Sequence, residues 1–110
     1  MKAKRIILIA ICILALLGTA GWAQAKKLKF GFSVATLDNP YFIEVANGFK
    51  DQCKKLGVEA IVTDGKYDAT AQNDQFENFI AMGCQAIGAA PVDQRGLQAV
   101  TQKAKDKGIT

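Results

Sequence analysis

Thr36, Asn39, Tyr41 and Phe42 bring a hydroxyl, a carboxamide and two aromatic rings within seven residues. A carboxamide donates two hydrogens and accepts through its oxygen, and a hydroxyl does both. Aromatic rings add a flat apolar wall. Together these groups suit a small polyol, whose hydroxyl edges can be bonded while its C–H face is stacked. Thr36, Asn39, Tyr41 and Phe42 are therefore the first ligand-binding candidates. Asn39 could equally be a helix cap and Phe42 a core residue, so spacing alone leaves both roles open. Asp93, followed by Gln94 and Arg95 in a later loop after Pro91, is a further candidate at the mouth of the same cleft. It could instead cap the helix that follows.

Other chemistries are poorly supplied. The chain has no histidine and no pair of cysteines two residues apart, which argues against zinc ligation and against histidine acid–base catalysis. No catalytic residue, metal or cofactor is expected. A phosphate cradle needs glycines in the first strand–helix turn, and residues 33–39 contain none. Asp38, Asp64 and Asp93 are scattered along the chain, unlike the clustered acids of a phospho-acceptor domain.

These candidates must be placed by regular elements. Residues 28–34 read as a strand covered on both faces. From Asn39 the apolar positions Phe42, Val45, Ala46, Phe49, Cys53 and Leu56 follow the spacing of one helical face. Asn39 suits the cap, Pro40 the first turn and Gly57 the position just past the end. A second strand is expected over 58–63, with Glu59 near a sheet edge, then a turn over 64–68 with Asp68 as a cap. A helix over 69–82 should bury Phe76, Phe79 and Ile80. The third unit is a strand over 85–90 and a helix over 94–107, facing inward through Leu97, Val100 and Ala104. Residues 109–110 open a fourth strand. Strands alternating with helices predict an α/β fold, a doubly wound parallel sheet with right-handed crossovers. Three strand–helix units and the start of a fourth strand make an incomplete lobe, as expected for part of a longer chain.

Residues 1–25 stand apart. Lys2, Lys4 and Arg5 lead into an unbroken apolar run of twelve residues, 6–17, and Ala23, Gln24 and Ala25 end on a small-x-small pattern. This is the plan of a cleavable export signal, with the cut between Ala25 and Lys26. The run is short of the roughly twenty residues needed to cross a bilayer, which weighs against an uncleaved anchor. Cys12 lies inside the run after bulky Ile11 and does not suit a lipoprotein site. Export implies the periplasm. The leader holds three of the fourteen basic residues and none of the ten acidic ones, so residues 26–110 carry a formal charge of +1. Their lysines are mixed with acids, and no nucleic-acid surface is indicated. Cys53 and Cys84 are candidates for a disulfide in an oxidising compartment, with buried free thiols as the alternative.

The segment Thr36, Leu37, Asn39, Pro40, Tyr41, Phe42 resembles the first-strand loop of periplasmic sugar-binding proteins of the ribose and galactose type. The resemblance continues through Val62, Thr63 and Asp64, residues 82–87, residues 90–93 and residues 104–109. It implies the N-terminal lobe of a two-lobed, non-enzymatic protein that acts as a monomer when full length. Such a protein closes on a monosaccharide or polyol and delivers it to a membrane ABC permease. By position it makes Asn39, Tyr41 and Phe42 sugar contacts. Ala35 stands where relatives often carry serine, and the acidic and basic contacts after the fourth strand would lie past Thr110. The same fold also serves sensing subunits for chemotaxis or quorum signals. A small flavodoxin-like enzyme is the competing class, disfavoured by the glycine-free first turn.

Overall fold

The computed structural model describes residues 26–110. Residues 1–25, expected to be a leader and including Ala25 on one side of the expected cut, lie outside the described residues. The elements follow in the order β1 (Lys29–Val34), α1 (Pro40–Leu56), β2 (Glu59–Asp64), α2 (Ala69–Ala81), β3 (Ala86–Ala89) and α3 (Gln98–Asp106). The strands form one parallel sheet in the order β2-β1-β3. Thr110 extends it: its amide donates to the Gln85 carbonyl (3.1 Å) and its carbonyl accepts from the Ile87 amide (2.8 Å). That is a parallel bridge on the far edge of β3, where the fourth strand was expected to open.

Each sheet face is covered by helices, as a doubly wound fold requires. On one face α1 packs over β1 and β2, and Phe32 stacks on Phe49 with ring centroids 5.0 Å apart. On the other, Phe76, Leu97 and Val100 form the centre of the core, with Ile80, Ile87 and Ala89 against them. Ala46, Cys53, Phe79 and Ala104 are buried as their spacing predicts. Leu56 departs from it and is 62% exposed. It is the last residue of α1, and the left-handed Gly57 (φ 70°) turns the chain so that Val58 takes the inward position.

The helix starts follow local chemistry. Asn39 Oδ1 accepts from the Tyr41 amide (2.9 Å), and Asp68 Oδ1 accepts from the amides of Thr70 (2.8 Å) and Ala71 (3.1 Å). The third helix corrects an expectation. It begins at Gln98 rather than Gln94, and Asp93 does not cap it. Asp93 Oδ1 accepts from the Arg95 amide (2.9 Å) within a turn, and the Gly96 carbonyl is held by Asn73 Nδ2 (3.0 Å) from α2. The Gln98 amide donates to the Arg95 carbonyl (3.3 Å), so residues 94–97 form a turn ahead of the helix.

The cysteines also settle on the alternative reading. Cys53 and Cys84 are free and buried, and the candidate disulfide is not formed. Cys53 lies on α1, over β1 and β2, whereas Cys84 leads into β3 on the far side of the central strand. Burial pushes the Cys84 thiol above its ordinary value of 9.0; Lys29 opposes this shift and Glu59 adds to it. In the folded state the thiol therefore keeps its proton at a pH where the unfolded chain has lost it. This contribution is fully present below the unfolded value and is lost as pH rises through the folded one. We expect the urea midpoint to fall more steeply above about pH 9 than that of Cys84→Ala. Parallel pH profiles of the two proteins would contradict this.

Candidate functional site

The strand order places the site. In an open α/β sheet the ligand crevice lies beyond the carboxyl ends of the strands, where neighbouring crossovers leave in opposite directions. Here that point lies between β1 and β3, because β1 leads to β2 on one side and β3 continues away on the other. Three loops meet at this end: loop 1 (residues 35–39), loop 2 (residues 65–68) and loop 3 (residues 90–97).

Loop 1 and the first turn of α1 carry most of the candidates. Asn39 commits its carbonyl oxygen to the helix cap, which leaves the two amide hydrogens for a ligand. Tyr41 is 68% exposed and meets Phe42 edge to face with centroids 5.2 Å apart. Phe42 is half-buried, so one part of its ring anchors the helix while the rest remains accessible. Thr36 differs from its expected role. It is completely buried, and its Oγ1 accepts from the Asp38 amide (3.1 Å). Its hydroxyl shapes the loop and presents no surface to a ligand. Asp93 is exposed in loop 3, across the switch point from loop 1.

Loop 2 is strapped to loop 1. Asp64 Oδ1 accepts from the amides of Leu37 (3.1 Å) and Lys66 (2.9 Å). The Gly65 amide donates to the Val34 carbonyl and the Tyr67 amide to the Ala35 carbonyl, each at 2.8 Å. The turn closes from Asp68 N to the Gly65 carbonyl (2.8 Å), with Lys66 and Tyr67 both left-handed at φ 51° and 55°. Two consecutive non-glycine residues in that region carry strain, which the straps offset.

Beneath the loops lies a polar layer that the sequence reading missed. Ser33 and Gln72 are completely buried. Gln72 Nε2 donates to Ser33 Oγ (3.1 Å) and to the Ala90 carbonyl (3.0 Å), while its Oε1 accepts from the Val92 amide (2.7 Å). Gln75 Oε1 accepts from Ser33 Oγ (2.7 Å) and Thr63 Oγ1 (2.9 Å), and its Nε2 donates to the Asp64 carbonyl (2.7 Å). No buried side-chain polar atom among the described residues lacks a partner. The signal was present in outline: Gln72 and Gln75 stand four residues before Phe76 and Phe79, on the stripe of α2 that faces the sheet. A cavity away from loop 1 lies between α2, α3 and β3, lined by Phe76, Ile87, Thr101 and Ala104.

Comparison with known proteins agrees with this geometry. Residues 30–110 match the family described as periplasmic binding protein domain. The chain is 30% identical over 84 residues to a ribose import binding protein of Bacillus subtilis, covering 76% of this chain and 28% of that one. It is 34% identical over 103 residues to a putative rhizopine-binding protein of Rhizobium meliloti, covering 93% and 32%. The fold superposes with a TM-score of 0.71 on an ABC transporter solute binding protein from Mycobacterium smegmatis with bound glycerol. That pair is 30% identical, over 76% of this chain and 29% of the other. The chain thus spans about a third or less of the length of these relatives.

Proposed function

This chain belongs to the periplasmic binding protein family, and we propose that it forms the first-lobe segment of the solute-binding component of an ABC-type sugar importer. The protein would be exported, cut between Ala25 and Lys26, and act in the periplasm without catalysing a reaction. The observation that carries this reading is loop 1 with the first turn of α1. The Asn39 amide and the Tyr41 and Phe42 rings stand at the switch point of a parallel sheet, supported from below by a satisfied polar layer. The ligand class is a monosaccharide or polyol. Asn39 would donate to a ring hydroxyl, Tyr41 and Phe42 would cover a C–H face, and Asp93 would accept a hydroxyl at the mouth of the cleft. Thr36 acts through the shape of loop 1.

A single lobe contacts one side of a sugar. A second lobe supplies the other side, and ligand contacts to both favour the closed form that a membrane permease recognises. Residues 26–110 alone are therefore expected to show no saturable binding of D-ribose or myo-inositol at about millimolar concentration or tighter. A two-lobe protein bearing this segment should bind a monosaccharide or polyol saturably, as read by titration calorimetry.

Asn39 separates the two roles its position allows. Asn39→Ser retains a capping oxygen and should change stability by only a few tenths of a kcal/mol, whereas Asn39→Ala should lose about 1 kcal/mol. Both remove the amide donors, so both should weaken ligand binding by roughly ten- to a hundredfold. Binding by Asn39→Ser as tight as that of the parent would reduce Asn39 to a cap and withdraw loop 1 as the sugar contact.

A further inference from the structure

We propose that Gln72 and Gln75 of α2 are the positioning residues of the ligand site, joining all three loops through the Ser33 hydroxyl in one hydrogen-bond relay. This rests on reading the loop face as the ligand site; the relay itself is a property of the folded chain without ligand.

The connectivity is continuous. Loop 3 is held where the Val92 amide donates to Gln72 Oε1 and the Ala90 carbonyl accepts from Gln72 Nε2. Gln72 Nε2 also donates to Ser33 Oγ, whose proton goes on to Gln75 Oε1. Gln75 Nε2 then holds the Asp64 carbonyl, and Asp64 Oδ1 holds the Leu37 amide of loop 1 and the Lys66 amide of loop 2. Every link from Val92 to Leu37 is a hydrogen bond of 3.1 Å or less, and the central members Ser33 and Gln72 have no solvent exposure.

Two features make this more than core filling. An apolar residue at position 72 or 75 would extend the stripe of Phe76 and Phe79, yet both positions carry a carboxamide. A carboxamide also offers a donor and an acceptor at once. Gln72 uses both on backbone atoms of loop 3, and Gln75 ties a β2 hydroxyl to the last carbonyl of β2. A buried network whose members are all satisfied rigidifies what it joins, and one broken link leaves a costly unpaired group. Loops 1 and 3 face each other across the switch point, and the relay sets the spacing between Asn39 and Asp93 without either touching it.

The relay predicts coupling between distant amides, measured by native-state hydrogen exchange on the chain without ligand. Ser33→Ala removes the shared hydroxyl at little change in volume. Exchange of Val92, Leu37 and Lys66 should then accelerate by roughly five- to tenfold, while Val100 and Ala104 in α3 hold their rates. Gln72→Met is the second variant, and it should accelerate Leu37 although Gln72 makes no bond to it. Acceleration confined to Val92, or spread equally over every amide, would overturn the proposal. Because no sugar enters the measurement, failure of the relay and failure of the sugar-binding reading give different results.

Discussion

Phe79→Ala is expected to destabilise the folded chain by about 3 to 5 kcal/mol, the range for removing a buried phenylalanine ring. Phe79 has no solvent exposure, lies against the backbone of the central strand at Gly31, and tilts toward Phe76 at a centroid distance of 6.4 Å. Its removal leaves a cavity between α2 and β1 that neither element can close without giving up other contacts. Domains of this size hold stabilities near the lower end of about 5 to 15 kcal/mol. The variant should therefore be largely unfolded by circular dichroism at modest urea, where the parent is native. A loss under about 1 kcal/mol would mean that the α2–sheet contact is not the centre of the core.

Gly31→Ala attacks the same contact from the other side. A Cβ on Gly31 would lie 2.6 Å from Phe79 Cγ, 2.7 Å from Cδ1 and 2.8 Å from Cδ2. These atoms are the root of the ring, which cannot swing aside while the side chain stays buried. Either α2 or β1 must shift, at an expected cost of about 2 to 3 kcal/mol. The clash is mutual, so combining Gly31→Ala with Phe79→Leu should cost less than the sum of the two changes. Coupling of roughly 1 kcal/mol or more is expected in urea unfolding. Strict additivity would show that the strand accommodates the methyl group by another route. Any lift of α2 also moves Gln72 and Gln75, which lie upstream of Phe79 on the same face. Gly31 therefore stands beneath the ligand loops in the mechanical sense, although it lies within β1 and not in a loop.

Much of this fold was legible along the chain. The Asn39-Pro40 start, the Asp68 cap and Gly57 past the end of α1 act over neighbouring residues, and all three took their expected places. The inward stripe of α1 read correctly until its last residue, where Leu56 gave way to Val58 because a left-handed glycine reverses the chain there. The start of α3 was not legible, since residues 94–97 form a turn that includes a bond from Asn73, twenty-three residues before Gly96 in the chain. Asn39, Tyr41 and Phe42 were recognisable as site candidates by type. Thr36 was recognised by type as well, but its burial under loop 1 gives its hydroxyl a different use.

By itself the sequence determined the alternation of strands and helices, the caps, and which side chains crowd the first loop. These follow from dihedral preferences and periodicities that act within a few residues. Only the tertiary structure decided the strand order β2-β1-β3, which brings loops 1 and 3 to one switch point. It alone kept Cys53 on α1 apart from Cys84 ahead of β3 and joined Ser33 to Gln72 across thirty-nine residues. The reason is physical. A polar side chain on an inward stripe must find a hydrogen-bond partner, but which partner it finds depends on the strand brought beneath it, and strand pairing is a property of the whole sheet.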